Sequence, residues 1–252
     1  MNQYIITYLK EFNIMLRKAV RPVRRIVNQI LYYGRKYVCP VCEHSFRKFL
    51  SFGHPKRINV RCPSCASLER HRLIWMFLQN KTEFFRANLR VLHFAPELGF
   101  FEKIKKMGNI SYIPADINPF CSEIKKVDIT NITYDDNYFN CVICCHVLEH
   151  IPDDRLAIRE VFRVLKSGGW AILQVPIDRI KTFEDPTAQT PEARLRIYGQ
   201  SDHVRIYGLD YVERLEEAGF KVKTKSCTKM FDKEIIRKYG LPQYDIYLCE
   251  KP

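Results

Sequence analysis

An almost wholly apolar run, followed at once by an amphipathic helix and then by a second apolar run, leaves a chain few architectures. Residues 139–176, FNCVICCHVLEHIPDDRLAIREVFRVLKSGGWAILQVP, have that form. The first run, Phe139 to Cys145, reads as a parallel strand covered on both faces, because a half-exposed strand would alternate. Pro152 suits a first helical position, Asp153 and Asp154 complement the positive end of the helix dipole, Arg163 and Lys166 complement the other end, and Gly168 supplies the stop. Ile158, Val161, Phe162 and Leu165 recur at helical spacing and give the helix a face for the sheet. The run Trp170 to Val175 then returns parallel to the first. Such a βαβ crossover places the segment in an α/β fold with parallel strands.

At 252 residues the chain can bury one α/β core and carry a small appendage. Its net charge of +13 is concentrated at the front: residues 1–72 hold 15 Lys or Arg against 3 Glu, leaving 26 basic against 25 acidic residues for the remainder. Apolar residues from Tyr4 to Leu31 keep a helical period while Arg17, Lys18, Arg21, Arg24 and Arg25 fall largely on other faces. Residues 1–37 therefore read as a basic amphipathic arm, interrupted at Pro22 and ended by Gly34. Its apolar face can pack on the protein's own body, lie on an anionic membrane surface, or accompany a clamp on nucleic acid such as RNA.

Ten cysteines would suit a secreted disulfide scaffold, but the length and the apolar strands that hold several of them argue for a reducing cytoplasm, with peripheral attachment at the inner membrane face as the variant. No apolar run approaches the roughly 18 to 20 residues that span a bilayer. Cys39-Pro-Val-Cys42 and Cys62-Pro-Ser-Cys65 stand nineteen residues apart, the spacing at which two knuckles present four thiolates to one structural zinc. Glycine commonly follows such knuckles, whereas Glu43 and Ala66 stand here. His44 and His54 are spare nitrogen ligands. The division expected is an arm (1–37), a zinc ribbon (38–72) and an α/β domain (73–252). A helix opened by Ser67 follows the second knuckle, with no Gly/Ser-rich linker.

The segment CHVLEHIPDDRLAIREVFRVLKSGGWAILQVP, with VDITNITYDDNYFN upstream, resembles the fourth strand, fourth helix and fifth strand of the class I S-adenosylmethionine-dependent methyltransferases; the resemblance covers roughly residues 89–250. Within that family, the run EDPTAQTPEARLRIYGQSDHVRIYGLDYVERLEEAGF resembles a bacterial subgroup with a Cys-rich segment before the catalytic domain. The resemblance implies a Rossmann-like, doubly wound, seven-stranded sheet and S-adenosylmethionine as cofactor. It places His93, Phe94, Ala95, Pro96 and Glu97 in the turn beside the methionine portion, with Ala and Pro where glycines are usual and Glu97 replacing the missing strand-end acid. Asp116 corresponds to the carboxylate that takes the ribose hydroxyls. Asp128, beginning the third strand, and Ile129 correspond to the adenine contacts, and Cys145 and His146 to the end of the fourth strand beside the transferable methyl.

Methyl transfer is an in-line displacement, so a site chiefly aligns nucleophile, methyl and sulfur, and a hydroxyl acceptor benefits from a base. His146, His150 and His203 are the available imidazoles. Residues 176–208 are long and polar enough for an acceptor lid, and Arg194, Arg196 and Arg205 suggest an anionic group on the acceptor. His146-Val147-Leu148-Glu149-His150 also fits H-x-x-E-H, a zinc-protease pattern, but these histidines straddle a strand end rather than share a helix face. Three functions compete. A methyltransferase on a small molecule, saccharide or lipid headgroup leads, because strand four lacks the Asn/Asp-Pro-Pro-aromatic run of enzymes that methylate base nitrogens. An RNA methyltransferase using the basic front and a zinc-ribbon binding protein with a silent methyltransferase fold are the alternatives.

Overall fold

The computed structural model describes residues 22–53 and 55–252, so the first 21 residues of the arm and His54 lie outside the described residues. The chain divides into two compact units. One comprises the residues up to Asn80 together with Phe231–Pro242; the other comprises Lys81–Met230 and Gln243–Pro252. The sequence placed the boundary at residue 72 and gave it no return segment.

In the first unit, helix α1 covers residues 22–31 and ends before Gly34, which instead lies in strand β1 (Tyr33–Val38). A Cβ on Gly34 would come within 2.7 Å of the Arg47 backbone, so a close strand crossing, not a helix stop, requires glycine there. The polar edge of α1 is bound to the second knuckle: Arg25 and Gln29 both donate to Ser64 Oγ, and Asn28 donates to the Pro63 carbonyl. Val23, Ile26, Val27, Ile30 and Leu31 are exposed, so over the described part of the arm the apolar face is not packed on the protein's own body.

Strand β1 pairs antiparallel with β2 (Ser45–Phe46), and β3 (Leu50–Phe52) with β4 (Arg57–Arg61). Each cysteine pair forms a tight turn, with Glu43 N donating to Cys39 O and Ala66 N to Cys62 O. Glu43 and Ala66, where glycine is usual, take φ of 64° and 62°, the left-handed conformation glycine would adopt freely. Helix α2 (Glu69–Lys81) buries Leu73, Ile74, Phe77 and Leu78. It is not opened by Ser67, whose hydroxyl turns instead to the sulfurs of Cys39 and Cys65. At the centre of the unit stands Arg72, wholly buried and stacked 4.0 Å from the Phe49 ring. Its guanidinium donates to the carbonyls of Val60, Ser67, Tyr239 and Gly240. The last two close the helix Lys233–Tyr239, whose carboxyl end turns through left-handed Gly240.

The second unit is a seven-stranded sheet. In chain order its strands are β5 (Leu89–Phe94), β6 (Ile110–Asp116), β7 (Lys125–Lys126), β8 (Phe139–Cys145), β9 (Leu165–Gln174), β12 (Lys221–Ser226) and β13 (Asp245–Glu250). Their order across the sheet is β12-β13-β9-β8-β5-β6-β7, parallel except for β13, which is antiparallel to both neighbours. Helices α3 (Leu98–Ile104) and α4 (Asp154–Val164) follow β5 and β8. A two-stranded parallel ribbon, β10 (Ile177–Arg179) with β11 (Tyr207–Gly208), brackets α5 (Pro191–Tyr198), and α6 (Tyr211–Glu217) leads to β12. The core joins Leu92, Phe94, Val142 and Cys144 of the central strands to Ala157, Ile158, Val161 and Val164 of α4.

The crossover differs from the sequence reading in detail. Asp153 is the cap, its Oδ1 accepting from Leu156 N at 2.9 Å, so Pro152 precedes the helix instead of opening it. At the other end Leu165 is already extended and pairs with Phe139, three residues before Gly168. The carbonyls of Phe162, Arg163 and Leu165 all accept from Lys251 Nζ, Arg163 O taking Asn137 N as well, and Gly168 N donates to Lys251 O. A cation from the far end of the chain replaces the glycine cap.

Two outcomes follow for stability. Arg72→Lys keeps the charge but cannot serve four carbonyls in one plane, so the first unit should lose on the order of 3 kcal/mol or more, read as an early transition in denaturant. Ala66→Gly should stabilise the unit by about 0.5 to 1 kcal/mol, read as a higher midpoint of that transition, because strain relief at an exposed left-handed residue exceeds the added freedom of the unfolded chain.

Candidate functional site

The carboxyl ends of β5, β6, β7 and β8 converge on one edge of the sheet, and β5 and β8 flank the point where strand order reverses, the usual ligand crevice of open α/β sheets. At the end of β5, Ala95 takes φ of 46° and donates its N–H to Ala115 O. The turn thus has a glycine-like backbone without glycine. His93 is fully buried and holds Tyr112 Oη at 2.9 Å through Nδ1 and Glu97 Oε2 at 3.1 Å through Nε2. With both ring nitrogens engaged, it positions Glu97 at the mouth of α3, where that carboxylate makes no helix-capping bond. Burial, with the Glu97 charge second, pushes the Tyr112 phenol well up, so it stays neutral.

Asp116 ends β6 and uses Oδ1 to accept from Asn118 N at 2.7 Å. Asp128 does not begin a strand. It follows the short β7 and folds a turn in which Thr130 N and Oγ1 both donate to its Oδ1. Ile129 is buried beside it and packs in the main core. Phe94 and Pro96 are buried in the β5 turn, and Cys145 is the last residue of β8, paired with Gln174. Cys141 and Cys144 lie wholly inside β8, where burial pushes both thiols well up.

Just past β8, His146 adopts φ of 56° and donates its backbone N–H to Gln174 O. That unusual turn lets His146 Nδ1 meet Glu149 Oε1 at 3.0 Å. Glu149 is only 1% exposed, in the single turn Leu148–His150. The loop carrying Asp202 and His203 is tied to the same turn twice: Val204 N donates to Glu149 O, and His150 Nδ1 lies 3.2 Å from Asp202 O. His150 and His203 meet edge to face, with ring centroids 4.8 Å apart. Burial lowers the pKa of His203, partly offset by the Glu149 charge. The three candidate imidazoles are therefore brought together. Glu149, their common neighbour, was read in the sequence only as part of a zinc-protease decoy.

Arg205 does not face an acceptor. It is buried, bonds Glu184 and the carbonyls of Leu148, Ile151 and Pro152, and joins Arg214 and Asp154 in an internal ionic cluster. Arg194 bonds Ala188 O. Nothing in the sequence spacing marked Asp154 as their buried counter-charge.

In the first unit the four sulfurs of Cys39, Cys42, Cys62 and Cys65 all lie within 4.8 Å of one another. Cys39–Cys65 and Cys42–Cys62 are each 3.6 Å apart, close to the roughly 3.8 Å between sulfurs bound about 2.3 Å from one tetrahedral zinc. Burial pushes the Cys62 thiol up, and hydrogen bonds from Cys39, Cys62 and Cys65 push the Cys42 thiol down. His44 bonds the Cys42 carbonyl and stays outside the cluster.

Residues 103–173, from α3 through β9, match the family described as a methyltransferase domain. Over 63 residues the chain is 33% identical to the ubiquinone/menaquinone biosynthesis C-methyltransferase UbiE of Photorhabdus laumondii, a match covering 25% of this chain and 20% of that protein. The chain thus spans about a fifth of the curated relative's length. Among solved structures, a SAM dependent methyltransferase from Archaeoglobus fulgidus is 20% identical with a TM-score of 0.47, over 71% of this chain and 93% of that one. A phosphoethanolamine N-methyltransferase 2 from Haemonchus contortus is 10% identical with a TM-score of 0.49, over 72% and 52%. These two likenesses are too loose to speak to chemistry. The matched segment contains the crossover at the heart of the seven-stranded sheet, so the likeness to a methyltransferase domain falls on the strands and helix that form the ligand crevice of the second unit.

Proposed function

We propose that the chain moves the methyl group of S-adenosylmethionine to a small-molecule, saccharide or lipid-headgroup acceptor. The observation that carries this reading is the donor set along one edge of the sheet: Glu97, Asp116 and Asp128 at the ends of β5, β6 and β7, with three imidazoles beyond β8. It fits the cofactor's chemistry. A carboxylate at Asp116 suits the ribose diol, Asp128 with the Ile129 backbone suits the adenine edge, and Glu97, held by His93, suits the ammonium. Ala95 at positive φ opens the β5 turn as glycine does elsewhere, with Phe94, Pro96 and Cys145 as apolar walls.

When bound, the cofactor supplies an electrophilic methyl on a sulfonium. The protein's part is alignment and proton removal. His146, oriented by Glu149 Oε1, is the base we assign to the acceptor, with His150 and His203 lining the acceptor side. Toward an acceptor hydroxyl, His146 would take the proton released as that oxygen is methylated, and Glu149 would hold the ring in place to receive it. The end of β8, Cys145-His146-Val147-Leu148, carries no Asn/Asp-Pro-Pro-aromatic run, which favours acceptors other than base nitrogens. The four-cysteine cluster we assign to one structural zinc. No helix among the described residues is long and apolar enough to cross a membrane.

Calorimetry with the demethylated cofactor should show binding that weakens at least tenfold in Asp116→Ala, since each hydrogen bond to a charged group contributes about 1.5 to 3 kcal/mol. A wild-type protein that binds neither cofactor form would leave the silent-fold reading standing. With labelled methyl and a host extract, radioactivity should enter small molecules or lipids; label in RNA, abolished by salt and by removing residues 1–37, would overturn the acceptor class. Zinc should be present at one equivalent on the cysteines and be lost in Cys42→Ser.

A further inference from the structure

Glu149 presents a problem that the methyl-transfer reading leaves unsolved. Its Oε1 is met by His146, but its Oε2 is buried and has no hydrogen-bond partner. A carboxylate oxygen so enclosed costs several kcal/mol unless charge or hydrogen bonds compensate it. The guanidinium on the adjoining segment does not serve. Arg205 bonds the Leu148 and Ile151 carbonyls on either side of Glu149, yet its ion pairs go to Glu184 and Asp154. What does face the carboxylate is a pair of imidazoles: one ligand atom from each of Glu149, His150 and His203 can be chosen so that all three lie within 4.8 Å of one another.

We propose that Glu149, His150 and His203 form a binding site for a divalent cation of borderline type, zinc or a first-row transition ion. Two imidazoles and one carboxylate are the donors such ions prefer, whereas magnesium and calcium favour all-oxygen shells. Ligand atoms about 2.1 Å from a common ion stand roughly 3 to 3.5 Å apart, so side-chain rotations of about an ångström close the set. The surroundings already hold it in place. His150 Nδ1 leans on Asp202 O, which leaves Nε2 as the ligand nitrogen, the division of roles usual in metal-bound histidine. The Val204 N to Glu149 O bond fixes His203 opposite.

Three protein ligands leave coordination positions open, as in catalytic rather than structural sites. The single carboxylate would then serve two partners, His146 through Oε1 and the cation through Oε2. A cation there could hold an acceptor oxygen beside the base. That use rests on the methyl-transfer reading, but binding of the ion does not.

The test uses the full chain with its cysteine-bound metal left in place and titrates cobalt(II), followed by visible absorption. We expect one further equivalent with the weak bands of nitrogen and oxygen ligation and no thiolate charge-transfer intensity. His203→Ala should weaken it at least about tenfold, the smallest loss usual even when only a group that hydrogen-bonds a ligand is removed. Glu149 is buried and its replacement can unfold the domain, so the loop variant carries the test, with circular dichroism reporting the fold. Cys42→Ser should leave these bands intact. Their absence in the wild type, their persistence undiminished in His203→Ala, or their loss in Cys42→Ser would each overturn the proposal. Because no cofactor is present, failure here is distinct from failure to bind S-adenosylmethionine.

Discussion

The buried carboxylate of Glu149 is the constraint on which the carboxyl edge of the sheet depends. It lies where it does because β8 runs in register between β5 and β9 and then breaks at His146, whose left-handed backbone turns the next residues back beneath the strand end. That turn brings His146 onto one oxygen and gives the 202–204 loop an anchor in the Glu149 carbonyl. Were β8 displaced by one residue, its faces would exchange and the carboxylate would leave the crevice. The apolar run of the strand and the chemistry beyond it are one requirement.

Left-handed residues other than glycine mark both sites. Glu43 and Ala66 stand at the cysteine knuckles, Ala95 in the β5 turn and His146 at the end of β8. Backbone strain of this kind persists where the surroundings over-determine a conformation, and it gathers at ligand sites. In the cysteine module the compensating force is available from four converging sulfurs. At Ala95 and His146 it comes from backbone bonds to neighbouring strands, Ala115 O and Gln174 O.

Much of this was legible in the sequence because it is local. The β8 run, the helix face of Ile158 and Val161, and the two cysteine pairs each follow from spacing within a few turns of chain. What escaped depends on distant partners. Gly168 looked like a helix stop because Lys251 could not be seen to take the carbonyls. Ser67 looked like a cap because the sulfurs it meets belong to another knuckle. Arg205 looked like a recognition residue until Glu184 and Asp154 claimed it, and Glu149 looked like no more than part of a zinc-protease pattern because His203 arrives from a separate loop. Charge and imidazole chemistry were visible, but their pairing was not.

The return of residues 231–242 to the first unit sets an order of events in time. In a chain synthesised from its amino end, Arg72 emerges long before Tyr239 and Gly240, two of the four carbonyls that satisfy it. Until those residues appear, the guanidinium must stay in water and the module's interior cannot close. The sulfurs face no such delay, since Cys39 to Cys65 are all made early and a cation captured by them would tie the growing chain locally. Metal capture would then precede burial of the arginine by most of the length of the polypeptide.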